Sequence, residues 1–236
     1  MVKVSVVLPA HNEADNLEPA VSEIAQALAE YAGSYEIIIA EDGSTDGTDK
    51  KADALSERLP AVKHLHAENR LGRGKALKNA FQQSSGEILV YMDVDLATDV
   101  KQLKELINSV DKEGYDFATG SRMLPESNVE RSGTRNIASK TYNFMVRAVL
   151  GSKVKDHQCG FKAFRREPLM QLLDEVSANH WFWDTEILVR AYRRGYRIKE
   201  IPVLWKSGRD TKVRLFHDSF YMSWQIFSLW WRLKAQ

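Results

Sequence analysis

Hydrophobic and polar positions in the first 120 residues follow a pattern that predicts strands alternating with helices. Short runs rich in β-branched residues predict five strands, at Val2–Leu8, Tyr35–Ala40, Val62–His66, Ile88–Met92 and Asp116–Thr119. Between them, apolar residues recur every three or four positions, which predicts helices at Glu13–Tyr31, Thr45–Leu59, Gly74–Gln83 and Val100–Asp111. This alternation indicates an α/β, Rossmann-like fold in which helices sandwich a mostly parallel sheet.

The helix starts also carry capping signals. Ser44, Thr45 or Asp46 is expected to cap the second helix, because short polar side chains accept hydrogen bonds from free backbone amides. Asp95 or Asp99 could cap the fourth helix in the same way.

The pattern changes after Gly120. Leu124–Arg135 is polar and rich in turn residues, which is typical of a mobile active-site loop. Helices are predicted at Ile137–Leu150 and Thr185–Arg194, and an edge strand at Arg197–Trp205. We therefore expect one domain over residues 1–214, followed by a C-terminal helix within residues 215–236.

That last helix, Leu215–Lys234, is amphipathic and crowded with aromatic residues. Aromatic residues recur every three or four positions and form one stripe: Phe216, Phe220, Trp224, Phe227 and Trp231. Tyr221 and Trp230 lie beside this aromatic stripe, and the basic residues Arg232 and Lys234 follow at the end of the helix. Such a helix suits the plane of the lipid headgroups, where Trp and Tyr are favoured. Packing on the domain's own core, or at a homodimer or other protein interface, is the alternative.

Composition narrows the function. The 33 basic and 32 acidic residues give a net charge of +1, which does not favour a nucleic-acid partner. A single cysteine, Cys159, excludes an internal disulfide and fits a reducing compartment. The apolar start of the chain is too short for a signal peptide, and Ser219–Trp231 is too short to cross a bilayer.

Polar and acidic segments follow four of the predicted strands. They are Pro9–Glu13, Glu41–Thr48, Asn69–Lys75 and Asp93–Asp95. Ligands of open α/β sheets bind outside the carboxyl ends of the strands, so these segments are expected to converge on one edge.

Asp93 and Asp95 lie where the buried fourth strand ends. Residues i and i+2 project to the same side of an extended chain, and two carboxylates so placed repel each other unless a cation is near. Oxygen ligands favour a hard ion, so the pair predicts a Mg²⁺ or Mn²⁺ site.

The segment Gly72–Lys75 could hold a phosphate at the start of the third helix. It lacks the P-loop spacing, and no Gly-x-Gly-x-x-Gly follows the first strand. Close helix packing is the alternative explanation for its glycines.

Taken in order, these segments together with Gly120–Arg122 and Asp156–Lys162 resemble family 2 glycosyltransferases of the GT-A fold. Within that family the chain is most similar to polyprenyl-phosphate sugar synthases, which include dolichyl-phosphate mannose synthase and dolichyl-phosphate glucosyltransferase. The resemblance implies transfer of one hexose from a UDP- or GDP-linked sugar to a polyprenyl or dolichyl phosphate, at the cytoplasmic face of a membrane.

The resemblance also implies roles for individual residues. Nucleotide contacts are expected from Pro9, His11, Glu13 and Asp42, with Arg73 or Lys75 nearby. Asp93 and Asp95, with Val94 between them, would hold the metal against the diphosphate. Arg122, Arg131 and Arg135 would receive the acceptor phosphate, and Lys212 would reach the donor phosphates.

Two positions bear on the donor. Asp156–Lys162 reads Asp-His-Gln-Cys-Gly-Phe-Lys, which is similar to the Asp-Thr-Gln-Cys-Gly-Phe-Lys of the glucosyltransferase branch. Ala97 stands where mannose synthases usually carry a metal-binding glutamine. The Gln-x-x-Arg-Trp signature of processive synthases is missing, which favours transfer of a single sugar.

Two alternatives remain open. A hydroxyl acceptor would need a carboxylate base, and Asp184 or Glu186 could supply one; both could equally be acidic residues at a helix N-terminus. A non-catalytic protein that binds nucleotide sugars is the other.

Overall fold

The computed structural model describes residues 2–31, 33–130, 133–206 and 215–234, with side chains described from residue 221 onward in the last range. Its main sheet has seven strands in the order β3-β2-β1-β4-β7-β5-β8. These strands are β1 (Val4–Ala10), β2 (Tyr35–Asp42), β3 (Val62–Ala67), β4 (Ile88–Met92), β5 (Phe117–Ser121), β7 (Phe161–Arg165) and β8 (Ile198–Pro202). A second, two-stranded sheet pairs β6 (Asn128–Glu130) with β9 (Leu204–Lys206).

Helices cover both faces of the main sheet. They are α1 (Ala14–Tyr31), α2 (Thr48–Arg58), α3 (Arg73–Gln83), α4 (Leu103–Asp111), α5 (Gly133–Leu150), α6 (Arg166–Leu173), α7 (Trp183–Arg193) and α8 (Leu215–Lys234). Alternate residues of the central strands feed two separate cores: Val6 and Val90 pack under α1 and α4, whereas Val7 and Leu89 pack under α3 and α7.

The expected mostly parallel sheet is confirmed, with one strand that the pattern did not predict. The pairs β1–β2, β1–β4, β2–β3 and β5–β8 are parallel. Strand β7 runs antiparallel between β4 and β5. Lys162, the second residue of β7, is fully buried, and a charged residue at this position of the sequence Phe-Lys-Ala-Phe-Arg disguises a buried strand.

Several local predictions need correction. Helix α2 begins at Thr48, and its N-cap residue is Gly47, with a left-handed φ of 90°, rather than Ser44, Thr45 or Asp46. Of these three, Asp46 still accepts a hydrogen bond from the Thr48 amide at 3.0 Å. The expected cap at Asp99 is confirmed, since its side chain accepts a hydrogen bond from the Lys101 amide; a 3₁₀ turn (Val100–Gln102) then precedes α4.

The region expected to be an active-site loop, residues 124–135, contains strand β6 and the first turn of α5. The edge strand predicted over residues 197–205 is divided at Val203 into β8 and β9. Backbone pairing between the two short strands β6 and β9 gives this region order that side-chain periodicity does not reveal.

Helix α8 has two apolar faces. One is buried against the core, through Met222, Ile226, Leu229 and Leu233. The other is exposed, with Trp224, Phe227 and Trp231 at 65%, 54% and 70% exposure. Core packing therefore explains the first face and leaves the aromatic stripe uncovered; the Phe216 and Phe220 side chains lie outside the described residues. Among the described helices, none combines the length and the apolar character that a membrane span requires.

Candidate active site

The ends of β1 and β2 are joined by hydrogen bonds at the carboxyl edge of the sheet. The Asn12 amide donates to Oγ of Ser44 (3.1 Å), and the Thr45 amide donates to Oδ1 of Asn12 (2.8 Å). Asn12 has a φ of 54°, a conformation that Asn tolerates better than most residues. Glu13 is fixed through its amide, which donates to Oγ1 of Thr48 (2.9 Å).

Asp42 organises the segment that follows β3. Its buried carboxylate accepts from Nη1 of Arg70 (2.6 Å) and from the amides of Leu71 and Gly72 (3.1 and 2.8 Å). Nδ1 of His11 lies 2.8 Å from the Asp42 carbonyl oxygen. Asp42 and His11 are thus brought together as expected, and the carboxylate of Asp42 holds the segment from Arg70 to Gly72 in place. Pro9, at the end of β1, is partly exposed beside them.

The glycines at the start of α3 serve helix packing. A Cβ on Gly74 would meet Cβ of Trp183 at 2.6 Å and the carbonyl oxygen of Ala178 at 2.7 Å. The amides of Gly74 and Lys75 both donate to the Asn179 carbonyl oxygen, at 2.9 and 3.2 Å. The first amides of the helix are therefore engaged, which supports the packing alternative over a phosphate cradle. Lys75 is exposed.

Arg73 points inward and links two carboxylates. Its Nη2 lies 2.5 Å from Oδ1 of Asp93, and its Nε lies 3.7 Å from Oδ2 of Asp184. The guanidinium also lies over the rings of Tyr91 and Trp181, at 5.3 and 5.2 Å from their centroids. Burial works against the charge, but Asp93 and Asp184 outweigh it, and the pKa of Arg73 is raised.

Gly160 makes room for this ion pair. A Cβ at this position would overlap the carboxylate of Asp93 and approach Nη2 of Arg73 to 2.7 Å. The Asp93 amide in turn donates to the Gly160 carbonyl oxygen (3.1 Å). The glycine of the Asp156–Lys162 motif is therefore required by the close approach of Asp93.

The residues around Asp95 fit a hard divalent cation. Asp95 is exposed and its Oδ1 accepts from the Ala97 amide (3.0 Å); Leu96 between them has a φ of 47°, which is rare for leucine. Although the residue as a whole is exposed, partial burial of its carboxylate and the charges of Asp93 and Glu13 raise the pKa of Asp95. The Asp95 carboxylate thus lies in the repulsive field of two other carboxylates, an arrangement that a Mg²⁺ or Mn²⁺ ion would relieve. The Val94 side chain is buried in the hydrophobic core, so contact with a ligand there would involve its backbone.

Asp184 lies in a buried polar network beneath Arg73. Its Oδ1 is 2.9 Å from Nζ of Lys162, which also donates to the Cys159 carbonyl oxygen (2.5 Å). Burial raises the pKa of Asp184 to about 7 and lowers the pKa of Lys162 to about 7. Lys162 was not among the site residues predicted from the sequence. Its position at the end of the Asp156–Lys162 motif was the signal that could have identified it.

Glu186, the other candidate base, is fully engaged in structural contacts. Its Oε1 accepts from Nε of Arg190 and from Nη1 of Arg232, each at 3.0 Å, and its Oε2 accepts from the Ala178 amide at 3.0 Å. Glu186 therefore ties α7 to α8, and Asp184 is the better placed of the two for chemistry.

Arg122 makes a bidentate ion pair with Asp156. Nε and Nη2 donate to the two carboxylate oxygens at 2.7 and 2.9 Å, and the Arg122 amide donates at 3.0 Å. Burial opposes both charges, but their attraction raises the pKa of Arg122 and lowers that of Asp156. Much of the donor capacity of Arg122 is thus used within the protein.

Basic side chains also line a surface pocket of about 360 Å³ beside α5. The pocket is lined by Met123, Lys140, Asn143, Phe144, Arg147 and Lys155. Lys140, Phe144 and Arg147 recur at helical spacing, a signal that the sequence already carried. Arg135 lies in the first turn of α5, whereas Arg131 and Lys212 lie outside the described residues.

The fold and the acidic strand edge define a GT-A-type nucleotide-sugar protein, and comparison with known families agrees. Residues 5–173 match the model of glycosyl transferase family 2. The chain belongs to this family, whose named members here are glycosyltransferases.

Curated relatives extend the comparison to the whole chain. Glycosyltransferase AglD of Haloferax volcanii is 48% identical over 100% of this chain, although the match spans only 38% of AglD. The dolichyl-phosphate beta-glucosyltransferase of Saccharomyces cerevisiae is 31% identical over 93% of the chain and 72% of its own length. Polyprenol monophosphomannose synthase of Mycolicibacterium smegmatis is 31% identical over 84% of the chain and 75% of its own length.

A solved structure supports the fold. Glucosyl-3-phosphoglycerate synthase from Mycobacterium tuberculosis, in complex with Mn²⁺, UDP and glucosyl-3-phosphoglycerate, superimposes with a TM-score of 0.70 at 23% identity. The match covers 96% of this chain and 77% of that one.

Proposed function

We propose that this protein transfers one hexose, with inversion, from a nucleotide sugar of the UDP-glucose or GDP-mannose type to a polyprenyl or dolichyl phosphate. The observation that carries the proposal is the pair Asp93 and Asp95 at the carboxyl edge of the sheet, with Arg73 fixed against Asp93. The names of the relatives from yeast and Mycolicibacterium support the substrate class.

Asp93 and Asp95 would hold Mg²⁺ or Mn²⁺, which supplies positive charge to the diphosphate as it leaves. Asp93 is oriented for this role by Arg73 and by its backbone contact with Gly160. Asn12, Glu13 and Asp42 shape the wall on which the nucleoside rests, with His11 and Pro9 beside them. Lys75 is proposed to lie near the nucleotide, and Lys212 is proposed to reach the donor phosphates.

The acceptor phosphate needs no general base. A phosphate monoester has a second pKa near 6, so it is largely dianionic at neutral pH and can attack the anomeric carbon directly. It does need cations, because the donor diphosphate repels it. We assign this task to Arg131 and Arg135, helped by Arg122, since guanidinium groups grip phosphate bidentately.

The exposed stripe of α8 supports peripheral contact with the cytoplasmic face of a membrane. Trp224, Phe227 and Trp231 present aromatic surface that the core leaves uncovered. Helix α5 packs on α8 and adds the exposed Ile137 and Phe144. A lipid-linked acceptor requires the enzyme to reach the bilayer, and interfacial aromatic residues provide the affinity.

A hydroxyl acceptor is the second candidate, favoured by one observation. Asp184 lies 3.7 Å from Nε of Arg73, beside the acidic pair, and burial raises its pKa, which is the direction that suits a general base. We expect Asp184→Asn to abolish transfer to an alcohol but to leave most transfer to a phosphate acceptor. Glu186→Gln is the matched control, and should lower stability with little effect on turnover.

The proposal is tested with a panel of UDP- and GDP-linked hexoses against short polyprenyl phosphates and polyprenols, with and without Mg²⁺ or Mn²⁺. Product analysis should give a β-linked hexosyl phosphate from a single donor. Product from the alcohol alone would favour the second candidate. Donor binding without any transfer or hydrolysis would support a non-catalytic binding protein.

A further inference from the structure

Three side chains of types that can bind a metal lie together on the neighbouring strands β2 and β3. The ligand atoms of Glu41, His64 and His66 all lie within 4.8 Å of one another. His64 and His66 are at i and i+2 of β3 and so share one face, while Glu41 pairs directly with His66 across the sheet. We infer that Glu41, His64 and His66 form a Zn²⁺ site, separate from Asp93 and Asp95.

His64 is prepared as a ligand. Its side chain is 5% exposed, and its Nδ1 lies 2.7 Å from Oδ1 of Asp53 on α2. The remaining ring nitrogen, Nε2, is buried and has no hydrogen-bond partner in the part of the chain that the structure describes. A metal-bound histidine commonly donates its other N–H to a carboxylate, which fixes the tautomer and aims the free nitrogen at the metal.

Glu41 is oriented in the same manner. It is buried, and its Oε1 accepts from the Ser44 amide at 2.6 Å. Its other oxygen, Oε2, lies 2.6 Å from Nδ1 of His66. In the metal-free protein the proton between these two atoms holds them together, and a bound cation would take its place.

The donor set selects the class of metal. Two imidazoles and one carboxylate suit a borderline ion such as Zn²⁺, whereas Mg²⁺ prefers oxygen ligands alone. Three protein ligands leave a fourth, tetrahedral position, and the half-exposed His66 opens that side to water. The site formed by Glu41, His64 and His66 and the site formed by Asp93 and Asp95 would therefore bind different metals.

Such a site would stabilise the residues proposed to contact the nucleotide. Glu41 is adjacent to Asp42 in β2 but faces the opposite side of the sheet, and it holds the Ser44 amide. Ser44 in turn contacts Asn12. A metal bound to Glu41 would thus connect the edge strand β3 to the loop that joins the ends of β1 and β2.

The test uses the untagged full chain, freed of metal with a chelator and titrated with Co²⁺ as a spectroscopic probe. One equivalent should bind with the visible absorption of a four- or five-coordinate ion, and Zn²⁺ should displace it. The double variant His64→Gln/His66→Gln should lose this signal while keeping its far-UV circular dichroism. Asp53→Asn should weaken binding by about tenfold or more through the lost orientation of His64.

Two controls separate this site from others. His180→Gln removes an exposed histidine on another segment and should bind Co²⁺ as the native chain does. Asp93→Asn/Asp95→Asn should also retain the signal, even if transferase activity is lost. The inference is overturned if native protein binds Co²⁺ no better than His64→Gln/His66→Gln, or if only the Asp93→Asn/Asp95→Asn variant loses binding.

Discussion

Nη2 of Arg73 lies 2.5 Å from Oδ1 of Asp93, so one of the two proposed metal ligands is already paired with a protein cation. Asp95 has no comparable partner in the described part of the chain and carries a raised pKa. The two carboxylates are therefore unequal: Asp93 is positioned by the protein, and Asp95 depends more on the charge of a bound ion.

Substitution of Asp95 tests this inequality. Asp95→Asn should keep the shape of the turn but lower transfer by at least about 100-fold, because charge on the leaving diphosphate is no longer neutralised. Asp99→Asn is the matched control, since asparagine also caps a helix, and should be near native. Initial rates at saturating Mn²⁺ measure both. Native activity that survives a chelator would contradict the metal assignment.

Gly160 offers a second test. Gly160→Ala places a methyl group against the Asp93 carboxylate, so we expect destabilisation of about 1–3 kcal/mol and a displaced Asp93. Chemical denaturation and donor affinity in the presence of Mn²⁺ report the two effects. Gly33→Ala, where a Cβ meets nothing within 4 Å, should change neither. Native donor binding by Gly160→Ala would show that Asp93 does not need this contact.

His157 predicts a pH dependence of stability. The ring is fully buried between Asn143 and Ser152, and burial lowers its pKa from 6.5 to about 3. Between these values the unfolded chain binds a proton that the folded chain does not. Its stabilising contribution is therefore complete above pH 6.5 and is lost as the pH falls toward 3, by about 1.4 kcal/mol per pH unit.

The variant His157→Gln isolates this contribution. Its free energy of unfolding should fall less steeply than that of the native chain between pH 6 and 4, as measured by urea denaturation at each pH. His180→Gln, which changes an exposed histidine, should follow the native curve. Identical slopes for His157→Gln and native protein would mean that His157 is protonated in the folded state.

The aromatic stripe of α8 predicts lipid binding. Trp224→Gln/Phe227→Gln/Trp231→Gln should weaken binding to liposomes with anionic headgroups by at least about tenfold, because apolar area no longer enters the interface. Thermal stability should be nearly unchanged, since these side chains are exposed. Leu204→Gln, an exposed apolar residue on β9, serves as control. Full vesicle binding by the triple variant would redirect attention to a protein partner.

Sequence periodicity predicted the parallel part of the sheet well because β1, β2 and β4 are mostly apolar and rich in β-branched residues. It failed at β7, an inner strand of the sheet whose second residue, Lys162, is a buried lysine. That residue is stabilised by contacts with Asp184 and the Cys159 carbonyl oxygen, partners 22 and 3 residues away in the chain. Local patterns cannot reveal a buried charge whose main partner is distant.

The site shows the same division. The convergence of the four strand-end segments followed from topology alone, and Asp42 and His11 do meet. The sequence pattern could not show which hydrogen-bonding groups are already paired within the protein. The amides of Gly74 and Lys75 donate hydrogen bonds to the Asn179 carbonyl oxygen, and Arg122 donates to the Asp156 carboxylate. These pairings depend on loops packed from distant parts of the chain.

Helix α7 carries Asp184 below Arg73 and, half a turn later, Glu186 bound to Arg232 of α8. If α8 lies on a lipid surface as proposed, this one short helix would set the distance between that surface and the proposed sugar-transfer site. A membrane-docked molecule would hold its catalytic edge at a constant height and tilt, so the length of the acceptor's lipid tail would matter less than the position of its phosphate within the headgroup layer.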